Sequence, residues 1–220
     1  MIEAIKSLFL IVSGLFPIID PLGGSPIFLV MTRDYSAATR RALSWRIATN
    51  SFFLLIGSYF IGTHILSFFG ISLPVVQVGG GLIVISNGWT LLKQGSLTGQ
   101  KNVKGSVEPE DPFHNAFYPL TLPLTVGPGS ISVAIALGAN APHHPGFDPV
   151  SIAVAIVGCV VLAASIFLCY GFADRLGRVI GTTGMTVIMQ LTSFLLVCIG
   201  VQIFWNGARA LLSSLPLHMH

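Results

Sequence analysis

Phe16-Pro17-Ile18-Ile19-Asp20-Pro21-Leu22-Gly23-Gly24-Ser25-Pro26-Ile27-Phe28 is the stretch that decides the fold. It lies inside a run over residues 7–32 whose only ionisable residue is Asp20. A run of that length can cross the ~30 Å hydrocarbon core of a bilayer. Yet Pro17, Pro21, Pro26 and a Gly-Gly pair sit in its middle. Proline removes a backbone donor and clashes with the preceding turn, and glycine adds backbone freedom. A continuous helix is therefore not expected. In lipid, interrupted backbone survives only where it is buried in protein or lines a wet cavity. The stretch reads as a broken membrane span, and Asp20 at the break marks a functional site.

A second break follows in Leu122-Pro123-Leu124-Thr125-Val126-Gly127-Pro128-Gly129-Ser130, inside an apolar run over residues 115–140. Two interrupted spans at corresponding places in two halves point to a transporter built from repeats.

Composition agrees. The 220 residues are 53% hydrophobic and 9% charged, against about 25% charge in a soluble domain. That leaves no room for a sizeable soluble domain and no basic surface for nucleic acid; the expected surroundings are lipid. Cys159, Cys169 and Cys198 all lie in apolar segments. They read as packing residues rather than disulfide or metal partners. No A-x-A-like site follows the first apolar run, so that run is expected to be a span rather than a cleaved signal.

Six spans can be marked, at 7–31, 47–69, 72–92, 115–140, 149–173 and 180–208. Arg33, Arg40, Arg41, Arg46, Lys93, Lys101, Lys104, Arg175 and Arg178 fall on one side, and Lys6 and Arg209 on the other. The positive-inside rule puts the nine in the cytoplasm and both termini outside. Cytoplasmic loops are then expected at 32–46, 93–114 and 174–179. The polar stretch 94–114 reads as a linker between a first half, 1–93, and a second half, 115–220. Three spans in each half give the halves opposite topology. The expected fold is an all-α polytopic membrane protein of two inverted three-helix repeats, with spans 1 and 4 broken. An offset of 107 aligns Pro21 with Pro128 and Ser25 with Ser132. An offset of 119 brings Gly81 onto Gly200, and Asn87-Gly88 onto Asn206-Gly207.

Asp20-Pro21 has the form of an N-cap followed by a first-turn proline, and so has Ser25-Pro26. Gly127-Pro128, with Ser130 close by, is a third helix start. Half-helices beginning there would turn free N–H groups toward the breaks. The candidate binding set is Asp20, Pro21, Gly23, Gly24 and Ser25 with Thr125, Gly127, Pro128, Gly129 and Ser130. Asn50, Asn87 and Asn206 are secondary polar candidates, and these and Gln77, Gln190 and Gln202 can equally join helices. Donors suit a carboxylate. Asp20 suits an ammonium group, a coupling H+ or Na+, or its own helix as a cap. A small zwitterion such as a neutral amino acid fits that set, and no metal or organic cofactor is expected. His143-His144, His218 and His220 fall outside the spans.

At these residues the chain resembles the MarC family. The resemblance rests on Asp20-Pro-Leu-Gly-Gly-Ser-Pro-Ile-Phe28 with its following arginines, on Gly70-Ile-Ser-Leu-Pro-Val-Val-Gln-Val-Gly-Gly-Gly-Leu-Ile-Val84, and on Pro123-Leu-Thr-Val-Gly-Pro-Gly-Ser-Ile131. It covers nearly the whole chain. It implies six spans, a bacterial-type inner membrane and transport, some relatives being described as neutral amino acid transporters.

Three other functions stand beside the transporter at this level. An intramembrane protease needs a partnered histidine, and spans 4 to 6 contain none; a Mg²⁺-dependent transferase needs clustered aspartates. Thr125-Val-Gly-Pro-Gly129 shares part of a potassium filter, but proline replaces its fourth residue. A non-transporting scaffold or regulator, alone or as a homo-oligomer, needs none of these features.

Overall fold

The computed structural model describes residues 2–96, 114–141 and 149–214. Most of the expected linker and His143, His144, His218 and His220 lie outside the described residues. Among the described residues the regular structure is helical throughout. Five segments are long and apolar enough to cross a membrane: Glu3–Met31, Ala37–Phe68, Leu73–Lys93, Pro149–Gly171 and Thr183–Ser213. The pair Phe117–Thr125 and Pro128–Ala139, bent by 63°, is long and apolar enough for a sixth when taken together. The protein is an all-α, multi-pass membrane protein. Phe9, Phe53, Phe68, Val157, Leu191 and Trp205 are among the large apolar side chains exposed on its outside, as lipid-facing surfaces require.

Both broken spans are present, but the first break is narrower than the residues suggest and the second is wider. Helix α1 (Ile2–Ile19) gives way to α2 (Pro21–Met31) at Asp20 alone. Asp20 has φ 45° and ψ 60°, the left-handed region, which Asp tolerates better than most residues. Gly23 and Gly24 are helical, so the break in the first span is one residue wide. Ser25-Pro26 does not start a helix either. Pro26 has no N–H to offer the carbonyl of Leu22, and Ser25 Oγ donates to that oxygen at 2.8 Å instead. The helix continues because the serine beside the proline replaces its missing bond. In the second half, Phe117–Thr125 is a wide, irregular coil with extended backbone at Tyr118 and Leu122. Val126 and Gly127 then separate it from α5 (Pro128–Ala139).

Two expected loops prove helical. Helix α3 (Ala37–Phe68) begins at an N-cap, Ser36, whose Oγ accepts from Thr39 N–H at 3.1 Å. Arg40, Arg41 and Arg46 therefore ride on α3 rather than on a loop reaching residue 46. Their charge signals water, and a helix that leaves the membrane meets water as well as a coil does. Likewise 174–179 is the start of α7 (Ala173–Ser213), which follows α6 (Pro149–Gly171) almost directly. A break at Gly181, φ 73° and ψ 172°, sets that first piece apart from the span. At this end Arg40 Nη2 meets Asp174 Oδ2 at 2.9 Å, and Arg40 Nη1 donates to the carbonyl of Thr32 at 3.3 Å. Arg41 and Arg175 flank the Phe172 ring at 5.9 and 5.6 Å. Arg40→Ala should cost about 1–2 kcal/mol of stability in detergent. That lies above the exposed-pair median because Arg40 is mostly buried. It lies below the buried-pair figure because Asp174 is about a third exposed. Arg40→Ala with Asp174→Ala should recover part of the loss.

The halves interleave. α2 packs on α6 and α7 of the second half, and α5 packs on α3 and on α4 (Leu73–Ser96) of the first. α3 pairs with α6, and α4 with α7. The α4–α7 crossing has a reciprocal register. A Cβ on Gly81 would lie 2.8 Å from the carbonyl of Gly200 and 2.5 Å from Phe204 N; one on Gly200 would lie 3.0 Å from the carbonyl of Gly81 and 2.8 Å from Ile85 N. Gly88 abuts Ser193 and Val197, and Gly207 abuts Pro74 and Val78. Adding 119 to one member of each contact and subtracting it from the other returns a second contact in the same set. Backbones approach this closely only where glycine removes the side chain.

Candidate functional site

The two breaks meet. They border a cavity of ≈ 200 Å³ whose wall includes Ile18, Ile19, Asp20, Gly24 and Ile27 from the first, and Pro123, Leu124, Thr125, Gly127, Gly129 and Ser130 from the second. Val84, Asn87, Thr90 and Leu91 of α4 and Leu196 of α7 complete it. Pockets for drug-sized ligands run from about 300 to 1,000 Å³, so this one suits a smaller molecule.

Asp20 has divided duties. Its Oδ1 accepts from Gly23 N–H at 3.0 Å and caps α2. Its Oδ2 is buried without a hydrogen-bond partner. A side chain at position 23 would strike both Asp20 Oδ2 and Thr192 Oγ1, so the two oxygens face each other across Gly23. The Thr192 hydroxyl is engaged by its own helix, with the carbonyls of Ile188 at 2.9 Å and Met189 at 3.2 Å. Asp20 Oδ2 thus lies beside the Thr192 hydroxyl at membrane depth, where a carboxylate is costly unless it is paired or protonated.

The start of α5 is the complement. Gly127 is its N-cap and supplies no side-chain bond, and Ser130 Oγ donates to the Gly127 carbonyl at 2.9 Å instead of capping. The first intrahelical N–H bond of α5 is Ile131 to Gly127, at 3.1 Å. Gly129 and Ser130 N–H thus precede the hydrogen-bonded ladder and stand in the cavity wall. With the dipole of α5 behind them they suit an anion. α2 is different, because Asp20 already occupies its N-terminus. Donors are concentrated at one break and the acceptor at the other.

Other candidates stand elsewhere. Pro21, Gly23, Ser25 and Pro128 lie behind the cavity wall rather than in it. Asn50 donates to Thr121 Oγ1 at 3.4 Å and joins α3 to the irregular coil. Asn87 lines the cavity, whereas Asn206 bonds Gln202 on the outside of α7 at 2.9 Å.

Tyr170 and Thr192 escaped the sequence reading. The Tyr170 ring is buried and stacks on Phe28 of α2 with centroids 4.8 Å apart. Its hydroxyl lies 3.1 Å from Thr125 Oγ1 and faces Gly24. It ties the second break to the helix that follows the first. A tyrosine within an apolar span must find a partner for its hydroxyl, and that was the available signal. Thr192 carried none, since membrane threonines ordinarily bond their own helix. Thr125 Oγ1 donates its one proton to the Leu120 carbonyl at 2.7 Å, so Tyr170 is the donor in their bond. Tyr170→Phe should cost about 1 kcal/mol. Thr125→Val should cost more, about 1–3 kcal/mol, because it strands a buried hydroxyl. Thermal unfolding of the two variants checks the order.

A family model described as MarC family integral membrane protein matches residues 5–212. The chain belongs to the MarC family. Proteins named UPF0056 inner membrane protein MarC are similar to it end to end. That of Salmonella typhimurium is 29% identical, with 97% of this chain and 99% of the relative covered. Those of Citrobacter koseri and Escherichia coli are 31% and 30% identical over the same shares. No solved structure gives a significant match. The resemblance read from three stretches thus holds over nearly the whole chain.

Proposed function

We propose that this MarC protein is a secondary transporter of small zwitterionic solutes, neutral amino acids foremost, and not an enzyme. The observation that carries the reading is the cavity shared by the two breaks, with Asp20 in its wall on one side and an uncapped helix N-terminus on the other. An amino acid presents the matching pair, an ammonium group for Asp20 and a carboxylate for Gly129 and Ser130 N–H. Asp20 also suits H+ or Na+ as a coupling ion in alternation with the amine. The reciprocal α4–α7 register and the exchange of α2 and α5 between halves support an inverted repeat, the framework on which alternating access works. The names of the relatives support the inner membrane, and the nine Lys and Arg residues support termini outside.

The test is uptake and counterflow of labelled L-alanine, L-serine, L-threonine and L-leucine by the purified protein in liposomes, with imposed proton or sodium gradients. Saturable flux with counterflow is the expected result. Non-saturating flux would make the protein a channel, and no flux across the panel would leave a different solute or a scaffold.

A further inference from the structure

The cavity breaks the symmetry of the frame around it. On α4 it touches Val84, Asn87, Thr90 and Leu91; on α7 it touches Leu196. The 119-residue relation between these helices carries those positions to Ile203, Asn206, Arg209, Ala210 and Gln77. None of the five lines the cavity, and three of them, Asn206, Arg209 and Gln77, are polar. The two broken spans differ as well. Glu3–Met31 runs as one span, whereas its counterpart is bent by 63°. One plan is thus held in two conformations, and this cavity lies on one side of the pseudo-axis.

Asn206 also stands where lipid does not favour it. It and Gln202 are exposed and bond each other at 2.9 Å. Asn206 is six residues from Gly200, at the crossing. At 1.5 Å per residue that is about 9 Å. The axis of an inverted pair lies in the membrane plane, so about 9 Å is still within the ~15 Å half-thickness of the hydrocarbon. Amides at that depth face protein or water.

We infer that Gln77, Asn206 and Arg209 line a second vestibule, opposite the present cavity, through which the same solute reaches the breaks once the halves exchange conformations. This rests on the transporter reading above and extends it to named residues. Arg209, near the mouth, would meet the solute carboxylate first. Asn206 would then do for that face what Asn87 does for the present one.

The experiment uses the full chain with Cys159, Cys169 and Cys198 replaced by alanine, reconstituted in lipid nanodiscs so that both faces meet buffer. Single cysteines are placed by Asn206→Cys, Val201→Cys and Trp205→Cys. A membrane-impermeant maleimide reacts only with a hydrated thiol. The cysteine at 206 should react at least tenfold faster than those at 201 and 205, which are similarly exposed but apolar positions on α7. Asn206→Leu should keep a folded elution profile and reduce alanine uptake at least tenfold. Equal reactivity at the three positions would overturn the inference and assign the face to lipid. Oxidative linkage of two chains at 206, with loss of maleimide access, would overturn it in favour of a subunit contact. If wild-type protein moves no amino acid, the transporter reading fails, and hydration at 206 still decides whether the vestibule exists.

Discussion

Gly81→Val should remove the folded protein from detergent extracts, and Gly200→Val should do the same. A Cβ at 81 would stand 2.5 Å from Phe204 N and 2.8 Å from the Gly200 carbonyl, and these are backbone atoms that cannot rotate away. Overpacking a tight core costs about 1–3 kcal/mol when side chains can adjust. Here the two helices must separate, so the cost should be at or above the upper end. Gly79, two residues earlier, has nothing within 4 Å of its would-be Cβ. Gly79→Ala should change stability by less than about 0.5 kcal/mol. Size-exclusion chromatography after a heating series measures all three. The double variant should lose less than the sum, since both substitutions act on one contact. Equal tolerance at 79 and 81 would mean that the crossing is looser than described.

The Asp20 series should have the second largest effect, and it separates three roles of one residue. Asparagine keeps the cap and tolerates the left-handed backbone; glycine keeps the backbone and loses the cap; leucine keeps neither. A left-handed residue other than Gly, Asn or Asp costs about 1–2 kcal/mol, and losing a cap costs about 0.5–2 kcal/mol. Asp20→Leu should therefore lose about 1.5–4 kcal/mol and all uptake. Asp20→Gly should lose roughly the cap term. Asp20→Asn should stay folded but change how uptake responds to pH or to sodium. Unchanged pH and sodium dependence in Asp20→Asn would reduce Asp20 to a helix cap.

These contrasts show what the residues alone could convey. The breaks at Asp20-Pro21 and Gly127-Pro128 were legible because proline and a buried carboxylate are hard to place in lipid in any other way. The width of the breaks was not, because it turned on Ser25 donating to the carbonyl that Pro26 leaves free. The arginines after Thr32 point to a wet segment, but charge does not tell a loop from a helix end. Gly81 and Gly200 could be aligned from sequence, yet identity says only that two positions are alike. That they touch, and touch reciprocally, is a fact of packing. Six of the ten candidate residues at the breaks line one cavity, namely Asp20, Gly24, Thr125, Gly127, Gly129 and Ser130. The other four hold that wall from behind. Tyr170, at the far end of the chain from the first break, could be joined to it only through space.

The interleaving of the halves bears on how the protein is made. α2 has its main partners in α6 and α7, and the glycine face of α4 has its partner in α7. A ribosome delivers α1 to α4 to the membrane while those partners are still unsynthesised. During that interval Gly81 and Gly88 line an open furrow, and the Asp20 break has nothing opposite it. The nascent first half is thus an incomplete object that the insertion machinery must shelter or that proteases will read as damaged. Only the arrival of the last helix, which runs to Ser213, closes the furrow. Loss of the carboxyl-terminal turns should therefore appear in the cell as degradation before it appears as impaired activity.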